Sequence, residues 1–143
     1  MTVVQKSALV KFSAQQMFDI VNDIETYPEY LPWCKSSRIL TQNEDIIEAE
    51  LVIAKGGLQK SFSTRNKLDP GGRIYMTLLD GPFKSLEGVW NFMPLREDAS
   101  KISLDLEFEV MGKLAGLTFG AVFSQLCSGM VSAFSTRAKH LYD

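Results

Sequence analysis

The chain has 143 residues, 45% of them apolar and 22% charged, with a formal net charge of −2. That length fits one domain, residues 1–143, with a core that needs no disulfide or metal staple, and nothing in the composition marks disorder. The slightly acidic balance and the lack of a basic stripe argue against direct DNA or RNA binding, and the two cysteines, Cys34 and Cys127, lack CxxC spacing, as in a reducing cytoplasm.

The opening MTVVQKSALV has neither the charged start nor the apolar run of a signal peptide. Residues 3–12 are rich in branched side chains and read as a strand. Ser13 then opens a helix. Gln16, three positions on, completes a capping box, and Phe12 and Met17 flank it as a hydrophobic staple. Met17, Phe18, Val21 and Ile24 mark the buried face. In the next segment, YPEYLPWC, Thr26 is read as the cap of a second short helix with Glu29 as its reciprocal partner. Pro28 is tolerated in a first turn, and Pro32 disfavours helical geometry at Leu31. This predicts about one helical turn over 27–31, then a change of direction into Trp33 and Cys34. Tyr27 and Tyr30 share a face.

Strands are predicted over 38–41, 46–54, 59–68, 74–80, 85–93 and 102–110, separated by the turns QNED, Gly56-Gly57, DPGGR and DGPF. Ala49, Leu51 and Ile53 alternate with Glu48, Glu50 and Val52. Ile102, Leu104, Leu106, Phe108 and Val110 alternate with Ser103, Asp105, Glu107 and Glu109, the pattern of a sheet with one wet face. A long helix over 113–141 closes the chain. Residues 114–136 carry no charge and are numerous enough to cross a bilayer. However, Thr118, Gln125 and Ser132 recur every seven positions with Ser128 and Ser135 beside them, and Phe119, Val122, Phe123, Leu126, Met130, Ala133 and Phe134 fall opposite. That is an amphipathic helix with an uncharged polar stripe. Gly112, Gly116 and Gly120, four apart on this helix, would be a pairing ridge in a membrane and in a soluble protein let the helix approach a sheet or ligand closely.

The element order predicts an α+β fold: a curved antiparallel sheet of about seven strands around the last helix, with two short helices after the first strand. Such a sheet, bent around one rod, leaves room for an internal cavity.

Catalytic constellations are missing from the sequence. The single histidine, His140, sits near a helix C-terminus, where the dipole accounts for it, so Cys34 has no base. Cys34 reads as a small apolar residue at a pocket mouth, and Cys127 as core. One histidine and two distant cysteines make no metal cluster. Neither Gly56-Gly57 nor Gly71-Gly72 has phosphate-loop spacing. No catalytic residue, metal or cofactor is therefore assigned. What the chain has in abundance is large apolar side chains: Tyr27, Tyr30, Trp33, Phe62, Met76, Phe83, Trp90, Phe92, Phe119, Phe123, Met130 and Phe134 are available to an interior. Arg65, Asn66 and Asp80 are the polar groups available to orient a ligand head, with an ion pair at the strand edge as the competing role of Arg65.

The stretches SALVKFSAQQMFDIVNDIETYPEYLPWCKSSRI, TRN at Thr64–Asn66, LLDGPFKSLEGVWNFMPL, FGAVFSQL and FSTRAKHLY resemble the coenzyme Q-binding, START-domain-like proteins of the polyketide cyclase superfamily, nearly end to end. The resemblance implies a helix-grip fold with a deep hydrophobic cavity, and non-enzymatic binding of ubiquinone or a related prenylated lipid in support of respiration. It places Tyr27, Tyr30, Leu31, Pro32, Trp33 and Cys34 at the cavity mouth. With these, the candidate ligand-binding set is Tyr27, Tyr30, Leu31, Trp33, Cys34, Phe62, Met76, Phe83, Trp90, Phe119, Phe123 and Met130. The bacterial branch of the family includes ribosome association toxins, which implies an alternative: binding of the ribosomal large subunit and a block of 70S assembly. The uncharged stripe of the last helix is then the docking face. Delivery of a lipid requires transient membrane contact, for which Leu114 and Leu117 are placed, by a cytoplasmic protein at times peripheral to the inner membrane. A cyclase-type enzyme is a third alternative.

Overall fold

The computed structural model describes residues 1–112 and 114–143, the side chains of 114–118 excepted. Seven antiparallel strands form one curved sheet: β1 (Thr2–Val10), β2 (Cys34–Gln42), β3 (Ile46–Lys55), β4 (Leu58–Asp69), β5 (Arg73–Asp80), β6 (Phe83–Arg96) and β7 (Ala99–Val110). Their spatial order is β1-β7-β6-β5-β4-β3-β2, so β2 to β7 run as a meander and β1 returns beside β7. Helix α1 (Ala14–Asn22) and a 3-10 segment (Ile24–Glu29) join β1 to β2, and α2 (Leu114–Tyr142) ends the chain. The expected α+β helix-grip arrangement is the one observed.

Local chemistry fixes most of these elements. The Ser13 hydroxyl accepts from the Gln16 N–H at 3.0 Å, and the Gln16 side chain accepts from the Ser13 N–H at 2.9 Å. That is the expected capping box, and Phe12 and Met17 beside it are both buried. Gly56 and Gly57 have φ of 58° and 85°, the two left-handed residues that a two-residue hairpin turn requires. The Asn43 carboxamide oxygen accepts from the N–H groups of Asp45 and Ile46, closing the QNED turn. In β7, Ile102, Leu104, Leu106 and Phe108 are buried, while Asp105, Glu107 and Glu109 are exposed, as the alternation predicts.

Three local expectations are corrected. Thr26 caps nothing. The Asp23 N–H already bonds the Ile20 carbonyl, so α1 passes into the 3-10 segment with no extended residue between them. The Thr26 hydroxyl instead donates back to the Asp23 carbonyl at 2.8 Å, and Glu29 faces Arg137 at 3.7 Å. β2 begins at Cys34 rather than 38, because the ladder to β3 holds the polar CKSS stretch in place, and the Trp33 carbonyl accepts from the Ala54 N–H at 2.8 Å. Gly112 stands ahead of α2 at φ 81°, not on it. The calls on Lys113, Leu114, Gly116, Leu117 and Thr118 lie outside the described side chains.

The core lies between the concave face of the sheet and the two helices. Phe119, Phe123, Leu126, Cys127, Val131, Phe134 and Ala138 form the buried face of α2. A buried hydrogen bond from the Ser100 hydroxyl to the Phe12 carbonyl, 2.9 Å, ties the start of β7 to the start of α1.

Candidate functional site

A largely apolar, partly open cavity of about 70 Å³ sits between the sheet and α2. Ile24 and Tyr27 of the 3-10 segment and Trp33 cover one side. The sheet contributes Ala49, Leu51 and Ile53 from β3, Phe62, Thr64 and Asn66 from β4, and Met76 from β5. Leu86 and Trp90 of β6 and Leu104 and Leu106 of β7 continue the wall. Phe123, Leu126, Cys127 and Met130 of α2 close it. The ladder explains part of this: Trp90 lies opposite Leu104, so both side chains rise on the concave face.

Of the candidate ligand-binding residues, Tyr27, Trp33, Phe62, Met76, Trp90, Phe123 and Met130 face the cavity. Tyr30, Leu31, Cys34, Phe83 and Phe119 do not, each for a packing reason. The Phe83 ring sits 4.9 Å from Phe123 and 5.4 Å from Phe119, inside a cluster with Phe62 and Phe108 that plugs one end of the core. Tyr30 packs on Phe134, 6.1 Å between ring centres, beneath the Arg137 guanidinium at 4.6 Å. Leu31 is buried where the 3-10 segment ends, its N–H donating to the Tyr27 carbonyl at 2.9 Å. Cys34 is buried as the first residue of β2, and its thiol donates to the Ser36 carbonyl at 3.4 Å. The rings of Tyr27, Phe134, Trp90 and Phe92 make a second cluster, so the cavity lies between two aromatic groups. Their bulk keeps it far smaller than the deep hollow the resemblance implies: drug-sized pockets span roughly 300–1,000 Å³.

Of the three polar candidates, only Asn66 reaches the cavity. Arg65 pairs with Glu48 at 2.8 Å on the outer face, where the ion pair holds the Glu48 carboxyl below its usual range. Asp80 is exposed, its carboxylate accepting from the Gly81 N–H. The aliphatic lining and Cys127 were missed as a group. Their signal was present in the β3 and β7 alternations, and in the spacing of Phe123, Cys127 and Met130 on one helical face.

The chemistry of the lining is quiet. The Tyr27 hydroxyl donates to the Val21 carbonyl, and burial pushes its ionisation well up. Burial pushes the Cys34 thiol up to about 11 and the Cys127 thiol up to about 12, so neither is a thiolate at neutral pH. His140 is exposed and Cys34 buried. Among the described residues no group of three or more His, Cys, Asp or Glu side chains converges, and no helix is long and apolar enough to cross a membrane.

A second concavity, a groove of about 750 Å³ with a mixed polar and apolar lining, runs between β1 and α2. Lys6 and Lys11 stand on one side and Ser128, Ser132, Ser135, Lys139 and Asp143 on the other, three cationic side chains to one acidic. None of these lysines is in an ion pair among the described residues.

Residues 10–135 match the family described as polyketide cyclase / dehydrase and lipid transport. The chain belongs to this family. It is 50% identical to the ribosome association toxin RatA of Pseudomonas aeruginosa over 99% of this chain and 98% of that protein. It is 28% identical to the mitochondrial coenzyme Q-binding protein COQ10 homolog B of Xenopus laevis, over 96% of this chain and 58% of that one. Among solved structures, the Streptomyces ZhuI aromatase/cyclase superposes with a TM-score of 0.86 at 18% identity, covering 96% of this chain and 93% of that chain. A START superfamily protein of Mycobacterium smegmatis gives 0.82 at 24% identity, covering 97% and 98%. At these identities the likeness is one of fold.

Proposed function

We propose that this protein acts by binding rather than by catalysis, and that it associates with the ribosome as its relative in Pseudomonas aeruginosa is named for doing. The observation that carries this is 50% identity sustained over 98% of that relative. The docking surface we assign is the groove between β1 and α2. There the uncharged serine stripe of α2 meets Lys6, Lys11 and Lys139, three cations outside any ion pair among the described residues and more numerous than the one acidic side chain, Asp143, in position to meet ribosomal phosphates. Binding to the large subunit then competes with the joining of subunits into 70S particles. Sucrose-gradient sedimentation at physiological salt tests this: the protein is expected in the large-subunit fraction, with 70S particles depleted. Protein that stays at the top of the gradient removes the reading.

A second reading is favoured by the cavity. An apolar, quinone-type lipid would be held by burial alone, at roughly 25 cal/mol per Å² removed from water. The similarity to a coenzyme Q-binding protein points to the same class. A cavity of about 70 Å³ takes part of such a guest, so a whole prenylated ring requires Phe62, Phe123 or Met130 to swing aside. Carriage of this kind suits a cytoplasmic protein that meets the inner membrane briefly and supplies respiration. Native mass spectrometry of protein purified from its own cells is expected to show a bound lipid. Recovery of empty protein alone, with Trp33 and Trp90 fluorescence unquenched by added quinone, counts against it. The cyclase reading lacks a polar constellation: the lining offers two unreactive hydroxyls, one thiol and one carboxamide where an enzyme needs an acid and a base.

A further inference from the structure

The cavity wall is mostly apolar, and one stretch of β4 brings two polar side chains to it together. Phe62, Thr64 and Asn66 occupy alternate positions there, so their side chains rise on the same face and line the cavity. The Thr64 hydroxyl donates to the Asn66 carboxamide oxygen at 2.9 Å. That bond fixes the orientation of the amide. Its oxygen is engaged, while no acceptor among the described residues takes the protons of its NH₂ group. Asn66 is 8% exposed, and it is the cavity onto which its NH₂ group opens. Of the other polar groups in the lining, the Tyr27 hydroxyl gives its proton to the Val21 carbonyl and the Thr64 hydroxyl gives its proton to Asn66, which leaves the indole N–H groups of Trp33 and Trp90 as the other donors. A carboxamide whose oxygen is engaged and whose NH₂ group opens onto a mostly apolar cavity is placed to give a hydrogen bond to a guest that brings an acceptor.

From this geometry we infer that Asn66 is the specificity-determining residue of the cavity: its NH₂ group receives a carbonyl oxygen, or an equivalent acceptor, of an otherwise apolar ligand. The inference rests on the cavity reading above and adds the chemistry of the guest. A hydrocarbon of the same shape leaves the donors unpaired and is discriminated against, as sites built for a hydrogen bond reject analogues that lack it. Ile47 and Met76 flank Asn66 on the neighbouring strands, so the acceptor lies against the sheet and the apolar remainder meets the α2 wall at Phe123, Cys127 and Met130.

The test compares tetramethyl-1,4-benzoquinone with hexamethylbenzene, in which methyl groups replace both carbonyls, by following amide resonances of the full chain. The wild-type protein is expected to bind the quinone roughly tenfold more tightly, the worth of one well-made hydrogen bond. The Asn66 side-chain NH₂ signal is expected to move downfield with the quinone only. Asn66→Leu brings the ratio close to one, and Thr64→Val, which keeps the donor but releases its orientation, lowers the ratio less than Asn66→Leu does. Equal binding of the two probes by the wild type, or a preference that survives Asn66→Leu, overturns the role of Asn66 while leaving an apolar site. Binding of neither probe overturns the site and the inference together. If Asn66→Leu does not fold, the wild-type NH₂ signal decides: the same response to both probes overturns the inference.

Discussion

Gly81 shows how one residue holds the core together. Its φ is 148°, and a Cβ there would stand 2.6 Å from the Phe62 Cβ. Gly81→Ala is therefore expected to destabilise by about 1–3 kcal/mol, read from urea midpoints, through backbone strain and displacement of Phe62. Cys127 makes a different prediction. Its ordinary pKa of 9.0 is pushed up to about 12 by burial, so the unfolded chain releases this proton first. The stability it contributes is whole below pH 9 and falls as pH rises toward 12. Urea midpoints at pH 8 and about pH 10.5 should drop further for the wild type than for Cys127→Ala. At this scale the sequence was read unevenly. Trp90 and Phe123 were found because they are large, but a ring that faces a void has the same spelling as one that faces another ring. Phe83 and Phe119 were assigned to the ligand and belong to each other.

Elements were more legible, because periodicity reports which face is buried. The alternation in β7 and the seven-residue repeat in α2 both predicted sides that the structure reproduces. Ser13 and Gln16 marked the start of α1 because capping needs only local residues. The 3-10 segment was misread at Thr26 because its start depends on how α1 ends, not on its own capping residues. The full length of β2 was hidden for a similar reason: its ladder to β3 depends on a partner strand, not on β-propensity. The hydrogen bond from Ser100 to the Phe12 carbonyl joins positions far apart in sequence, and no local pattern announces it. Ser100→Ala leaves that buried carbonyl without a donor and is expected to cost about 1–3 kcal/mol by chemical denaturation. Ser135→Ala, whose hydroxyl bonds a carbonyl within its own helix, should stay within about 0.5 kcal/mol.

For the molecule as a whole, two surfaces carry two separable tests. The lysine groove predicts that reversing Lys6, Lys11 and Lys139 to Glu lowers the ribosome-bound fraction in gradients and flattens its dependence on salt. The same triple variant should leave the urea midpoint and the cavity unchanged, since all three lysines are exposed. The overall charge gave no warning of this groove, because an acidic total conceals a local cluster of cations. Topology, by contrast, was readable from the order of the elements, and with it the presence of a hollow. Its size was not, since volume depends on how far each ring leans inward.

The sheet ends at β1 and β2 without the two strands meeting. A closed barrel widens its interior only by breaking ladder bonds. Here the two margins are unpaired with each other, so parting them would widen the interior at no cost in ladder bonds, as a hand loosens around a rope without breaking a finger.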